Sequence, residues 1–439
     1  MAYATGLPKE FKEVRTMERD PLVIGENYIL PGNEIGVIRP NNNMLIVGGT
    51  GTGKSTSNKL PTLFYSEHSN LIVSYAKEHD AYSDCEYLKK KQYAVRILNT
   101  CRPEKSSICF DPMAHVSTYA DISTIAEAIV SVLKNSNDNY WNAKAKSLLI
   151  GIIAAARMKS GHGKRCMTQS VLEMFDLLIP SEATSGVTTP IDDVFITLGK
   201  KDPSCVAIRE FLSWKTLPFR TASCVRDTLA AALSTVFPES IREMMRSKPQ
   251  IDIKKFTQKK EAIVVITSAT DLSQQYYANL FYLDLYRNLL QIANESPTGE
   301  LPREVRFIFD DFGCTPISDF DSQISLFRSA GISASMLLQS EIQLEKSYGR
   351  EGAAIIRQNC SIYLYYPGGF DDRACEIVSK RMNLPYEDVL NSPQGKVFVM
   401  QAGRKPSYIN RFDTFHCPEY EEYLKVTNKK RNVPVCERA

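Results

Sequence analysis

A glycine at 48, a second at 53 and then Lys54-Ser55 make GGTGTGKS fit the spacing of a phosphate-binding loop, or P-loop. The residue types dictate the chemistry. Glycines let the backbone turn so that several N–H groups face one anion, and the N-terminus of a following helix adds partial positive charge. Gly48, Thr50, Gly51, Thr52, Gly53, Lys54, Ser55 and Thr56 are therefore expected to wrap a nucleoside triphosphate, ATP. Lys54 is expected to reach the β- and γ-phosphates, and the Ser55 hydroxyl to ligate Mg²⁺.

Such a site needs a distal carboxylate. An apolar run over 305–309 ends in Asp310-Asp311. Asp310 is expected to hold the magnesium ion, through Ser55 or a water. Asp311 is expected to polarise the attacking water. Glutamate is more usual in that place, and aspartate is shorter by about 1.5 Å. The shorter reach implies a rearranged site or slow hydrolysis. Gln339 ends another apolar run and can hydrogen-bond both phosphate and water. Arg328 closes a helical pattern 17 residues after Asp311. In a ring of subunits such an arginine can reach a neighbour's γ-phosphate as a finger. These residues together read as a motor ATPase.

The elements that must position them follow from periodicity. Apolar runs at 44–47, 70–75, 93–98, 107–110, 261–267, 305–309, 332–338, 361–366 and 396–401 are predicted strands. A helix is predicted from Lys54 to Ser66. Strand, loop, helix and strand at this spacing indicate an α/β fold with a doubly wound, mostly parallel sheet. Between 113 and 246 helical periodicity takes over, at 122–134, 141–159, 168–178, 202–213 and 223–235. This predicts an inserted all-α domain over 113–246, a nucleotide-binding domain over 1–112 and 247–420, and a polar tail over 421–439. Trp141, Ala145, Leu148 and Leu149 share one helix face and are expected to pack. GHGK at 161–164 has the composition of a phosphate loop, but no strand precedes it, so it is expected to be a plain loop.

Composition bounds the rest. A chain of 439 residues is too long for one ordinary core. The net charge of +3 does not announce nucleic-acid binding, and a ring that concentrates charge in a pore is compatible with it. The 11 cysteines form no Cys-x-x-Cys pair, and the five histidines are scattered, which argues against zinc and for reduced thiols. The longest apolar run, 148–158, is shorter than the roughly 20 residues of a membrane span.

The ordered series of motifs resembles the type IV secretion coupling proteins, the conjugative DNA-transfer ATPases related to FtsK and HerA. It consists of GGTGTGKST at 48–56, Lys77-Glu78, Phe110-Asp111-Pro112-Met113, Tyr140-Trp141, Asp310-Asp311, Arg328, Ala330-Gly331-Ile332, Gln339-Ser340, Tyr348-Gly349 and Asn359. The resemblance implies a RecA-like P-loop NTPase with a separate all-α domain, working as a homo-hexamer. It implies delivery of single-stranded DNA with its relaxase to a secretion channel, at the cytoplasmic face of the bacterial membrane. It supports Lys54, Ser55, Asp310, Asp311 and Gln339 at the nucleotide, with Arg328 acting across the interface. Three features depart from the family pattern. Asp311 stands for the usual glutamate, and Tyr75-Ala76-Lys77 stands for Asp-Pro-Lys. The family normally starts with transmembrane helices, and this sequence begins about where they would end, as a soluble portion would. Two other functions stay open: a cytosolic DNA-translocating ATPase of the same superfamily, and a nucleotide-binding docking adaptor without efficient hydrolysis.

Overall fold

The structure, a computed structural model, describes residues 17–33, 39–133, 139–160, 166–178, 189–268, 271, 273–312 and 316–429. The GHGK segment lies outside them. In chain order, β1 (Leu22–Gly25) and β2 (Tyr28–Leu30) form a hairpin, and β3 (Met44–Gly48) leads into the P-loop. A π-helical turn at Ser55–Lys59 continues as α1 (Leu60–Phe64), followed by β4 (Asn70–Tyr75), α2 (Glu78–Lys90) and β5 (Ala94–Asn99). Helices follow: α3 (Tyr119–Val130), α4 (Asn139–Ser160), α5 (Met167–Asp176), α6 (Pro190–Lys201), α7 (Val206–Lys215), α8 (Phe219–Val236), α9 (Glu239–Ser247) and α10 (Ile253–Phe256). Then come β6 (Glu261–Ile266), α11 (Ser273–Glu295), β7 (Val305–Phe309), α12 (Phe320–Ala330), β8 (Ile332–Leu338), α13 (Glu341–Gln358) and β9 (Ile362–Tyr366). The chain closes with α14 (Asp372–Met382), α15 (Tyr386–Leu390), β10 (Lys396–Gln401), β11 (Ser407–Asn410) and α16 (Pro418–Thr427).

Among the described residues, nine strands form one sheet in the order β11-β10-β9-β3-β8-β7-β4-β6-β5. β3 pairs in parallel with β8 (Met44 opposite Ser335) and with β9 (Met44 opposite Ile362). β7 pairs in parallel with both β8 and β4. β10 runs antiparallel to β9 and β11 at one edge. The strand ends that carry Gly48, Asp310 and Gln339 therefore point the same way, where parallel sheets bind ligands. Every residue of β3, β4, β6, β7, β8 and β9 is buried, as expected of strands covered on both faces.

The chain divides into two compact units. One comprises the described residues up to Arg96, Asp252–Ala269 and Tyr286 onward, and the other Ile97–Ile251 with Thr270–Leu285. In the first, Leu22, Ile24, Met44, Ile46, Leu337, Leu364 and Val397 form one apolar cluster beside the sheet. In the second, α4 is the central helix, touching α3, α5, α7 and α8. Ala145, Leu148 and Leu149 on its predicted packing face are buried. Among the described residues no helix is long and apolar enough to cross a membrane.

The structure corrects three local expectations. The predicted strand at 107–110 is a single bridge, Cys109 to Gln250, because no neighbouring strand continues the ladder. The helix predicted from 202 starts at Val206, and Asp202 instead closes α6, a helix the periodicity did not single out. Residues 421–427, expected to belong to a polar tail, lie in α16. Tyr420 and Tyr423 sit one turn apart and are 7% and 4% exposed, packed with Phe64, Tyr87 and Phe412. Burying two such rings contributes about 2 kcal/mol each, enough to hold a short helix down.

Candidate nucleotide and magnesium site

The P-loop is shaped by contacts that exclude side chains. A Cβ at Gly48 would lie 2.7 Å from the Tyr366 carbonyl oxygen of β9, so only glycine fits the end of β3. Gly51, at φ +81°, turns the backbone through the left-handed region with open space around it. Thr52 is buried and its hydroxyl donates to the Gly49 carbonyl at 2.9 Å. Thr50 and Gly51 are exposed at the crest of the loop.

Lys54 folds back into its own loop. Its ammonium donates to the carbonyls of Gly49, at 2.9 Å, and of Gly48. Burial pulls the Lys54 pKa below the ordinary lysine value, and the charges of Asp311 and Asp310 offset part of that pull. An ammonium that donates to carbonyl oxygens of its own loop can exchange them for phosphate oxygens, which bind it more strongly.

Asp310 leaves β7 beside this loop. The Ser55 hydroxyl donates to Asp310 Oδ1 at 3.0 Å. The Asp310 backbone N–H donates to Ser74 Oγ at 2.9 Å, which ties its main chain to β4. Below it Phe309 packs on Phe312 and Phe320 with centroids at 5.2 and 5.8 Å, a rigid aromatic floor for the turn. The Ser55 hydroxyl and the carboxylate are hard oxygen donors of the kind Mg²⁺ takes. Among the described residues no group of three or more His, Cys, Asp or Glu side chains could hold a metal. Two protein oxygens suit an ion that draws its other ligands from water and nucleotide phosphates.

Asp311 sits at φ +61°, in the left-handed region that aspartate and asparagine tolerate better than most residues. Gln339, just past β8, donates from Nε2 to Asp311 Oδ1 at 3.1 Å. The fold thus brings together Lys54, Ser55, Asp310, Asp311 and Gln339. It does not bring Arg328 there. Arg328 lies exposed in the last turn of α12, before β8 begins, whereas Gln339 follows the far end of that strand. Seven residues of strand separate the two ends by about 23 Å.

Several residues at the site carry no local sequence signature. Lys59 is buried and its ammonium lies 2.7 Å from Asp310 Oδ2 and 4.3 Å above the Tyr75 ring. Burial alone would lower its pKa, but Asp310, Asp84 and Asp80 outweigh that and raise it. Ser55 and Lys59 are four apart, on one face of the helical turn, but that spacing does not say what the face meets. Asp84 accepts hydrogen bonds from the hydroxyls of Tyr75 at 2.7 Å and Tyr423 at 2.8 Å. Arg411 donates to the Thr52 carbonyl at 3.1 Å, and Thr414 to the Thr56 carbonyl at 2.6 Å. This C-terminal segment braces the P-loop from more than 350 positions away, as the separations of 359 and 358 show.

The model of the family described as type IV secretory system conjugative DNA transfer matches residues 7–382. The chain belongs to that family. No curated protein matches the sequence. Among solved structures, the conjugative DNA-transfer chain is similar to the plasmid coupling protein TrwB in complex with ADP and Mg²⁺. The TM-score is 0.61 at 15% identity, covering 86% of this chain and 87% of that one. TrwB in complex with the ATP analogue ADPNP gives 0.59 at 14% identity, covering 86% and 87%. VirB4 of Thermoanaerobacter pseudethanolicus gives 0.55 at 13% identity, covering 91% and 97%. At such identities the likeness is one of fold. This conjugative DNA-transfer protein has an α/β, RecA-like P-loop NTPase fold with a doubly wound, mostly parallel sheet and an added all-α portion.

Proposed function

We propose that this chain is an ATP-driven coupling protein. As a homo-hexamer it hydrolyses ATP with Mg²⁺ at the cytoplasmic face of the membrane. The cycle delivers relaxase-bound single-stranded DNA, or a protein substrate, to a type IV secretion channel. One observation carries the proposal: Ser55 and Asp310, 255 positions apart, meet at 3.0 Å beside a P-loop, with Asp311 and Gln339 bonded next to them. TrwB, similar in fold, has been seen in complex with ADPNP and with ADP and Mg²⁺. In this proposal residues 1–112 and 247–420 carry the nucleotide and 113–246 form the all-α domain.

The residues divide the work. Ser55 and Asp310 would hold Mg²⁺, which when bound would neutralise phosphate charge. Lys54 exchanges the Gly48 and Gly49 carbonyls for the terminal phosphates. Asp311 orients the attacking water and accepts its proton. The Gln339 amide, already on Asp311, links that carboxylate to the terminal phosphate. Arg328 acts on the neighbouring subunit's phosphate, since its own lies about a strand length away.

Assembly makes activity depend on concentration by mass action, so specific ATPase activity should rise over about a hundredfold range of protein. It should rise further with single-stranded DNA. Flat specific activity without a DNA effect would reject the ring motor. A docking adaptor with little hydrolysis is the second proposal, favoured by the short Asp311 held at φ +61° against Gln339. Single-turnover hydrolysis with DNA present separates the two.

A further inference from the structure

The loop after β9 carries a residue that the phosphate chemistry does not use. Phe370 is 98% exposed, the highest value among the large apolar side chains of the described residues. Single exposed apolar residues are ordinary on protein surfaces. What distinguishes Phe370 is how its backbone is held. Pro367 before it is buried. Asp371 after it is 5% exposed and accepts the N–H groups of Glu341 at 3.0 Å and Ala374 at 3.1 Å. Gly368, at φ +112°, lies against the Gln394 side chain. Gly369 packs directly on the P-loop: a Cβ there would lie 3.3 Å from Gly49 Cα. With consecutive Cα atoms 3.8 Å apart, Phe370 Cα stands within about 9 Å of Gly49 Cα. An anchored backbone therefore presents a bare phenyl ring at the lip of the P-loop.

The strand order gives that ring a side. β8 and β7, which lead to Gln339, Asp310 and Asp311, lie on one side of β3, and β9 lies on the other. Metal and water chemistry at the γ-phosphate thus occupy one flank of the P-loop. A nucleotide's ribose and base extend away from its γ-phosphate, and the flank of β3 opposite the metal and water residues holds Phe370 and Arg411. We propose that Phe370 is the stacking platform for the nucleobase of the nucleotide bound at the P-loop. The proposal rests on the P-loop function above and adds the residue that holds the base. Every base has a π-face, so stacking fixes the base without choosing between adenine and guanine.

The test measures dissociation constants of ATP, GTP and inorganic tripolyphosphate, each with Mg²⁺, for the full chain and for Phe370→Ala and Phe370→Trp. We expect Phe370→Ala to weaken ATP and GTP alike by about tenfold or more. Tripolyphosphate, which has no base, should bind all three proteins equally. Phe370→Trp should restore nucleotide affinity, and its added indole fluorescence should be quenched by ATP but not by tripolyphosphate. Wild-type ATP affinity in Phe370→Ala would overturn the proposal, and a changed assembly state alongside it would mark Phe370 as a subunit contact. Parallel loss of ATP and tripolyphosphate would also overturn it, as a general disturbance of the loop. A wild-type chain that binds neither probe would reject the P-loop function itself, and this proposal with it.

Discussion

Lys54 and Asp311 are the residues whose settings most constrain the chemistry. Lys54 holds two carbonyls of its own loop, so it must exchange partners when phosphate binds. Lys54→Ala should weaken triphosphate more than diphosphate binding and reduce turnover by about 10²-fold or more. Titration with ATP and ADP, alongside steady-state hydrolysis, checks this, and wild-type hydrolysis would disprove the site. Asp311 poses a trade. Glutamate reaches further, so Asp311→Glu should keep or raise turnover. The left-handed φ of +61° is less tolerant of glutamate, so its stability should fall by roughly 1 kcal/mol. Asp311→Asn tolerates that backbone but cannot take a proton, and should lose about 10²-fold in rate with an unchanged urea midpoint. Equal rates in all three proteins would free Asp311 from handling water.

At the scale of elements, α3 offers a stability test independent of nucleotide. Thr118 and Asp121 form a reciprocal cap at its N-terminus: the Asp121 N–H donates to Thr118 Oγ1 at 3.2 Å, and the Thr118 N–H to Asp121 Oδ2 at 2.8 Å. Burial alone would raise the Asp121 pKa, but hydrogen bonds from Thr118 and Ser117 outweigh it and lower it to about 2. A depressed carboxyl pKa stabilises the fold above its unfolded value and loses that contribution as pH falls through the folded value. Asp121→Ala should therefore cost about 1 kcal/mol at neutral pH. The wild-type advantage should shrink from near pH 4 toward pH 2, read from paired urea midpoints. A pH-independent difference would show that the cap carboxylate is not its source. α16 makes a related point about packing. Its Tyr423 hydroxyl bonds Asp84, and Asp84 in turn raises the pKa of the Lys59 that holds Asp310. A helix near the C-terminus thus reaches the candidate metal site through two buried charges.

For the whole molecule, the decisive matter is whether subunits complete one another's sites. Arg328 is exposed and about a strand length from its own Gln339. Arg328→Ala should bind ATP normally and lose about 10³-fold or more in turnover. Mixing Arg328→Ala with Lys54→Ala subunits at fixed total protein should restore part of the activity. Some interfaces then pair an intact P-loop with an intact arginine. No recovery in rings shown to exchange subunits would remove Arg328 from the role. Arg357, an arginine in the last turn of α13, is poorly placed to replace it. It is bound at 2.9 Å to the fully buried Glu341, and its loss would strand that carboxylate.

The sequence by itself determined the parts whose signal is local. Gly48 to Ser55 could be read because phosphate binding needs consecutive residues, and the strands at 305–309 and 332–338 because buried parallel strands are continuous apolar runs. The family's ordered motifs were legible for the same reason. Periodicity failed where few apolar residues define a face, as in α6, and where partners decide, as at 107–110. What only the tertiary structure decided are the pairings across hundreds of residues. Lys59 on Asp310, Ser74 on the Asp310 backbone, Arg411 on Thr52 and the exposed Phe370 beside Gly49 leave no mark in their neighbours. Such contacts depend on the order of strands in the sheet. That order is a global solution to burying every strand at once, and no window of sequence contains it.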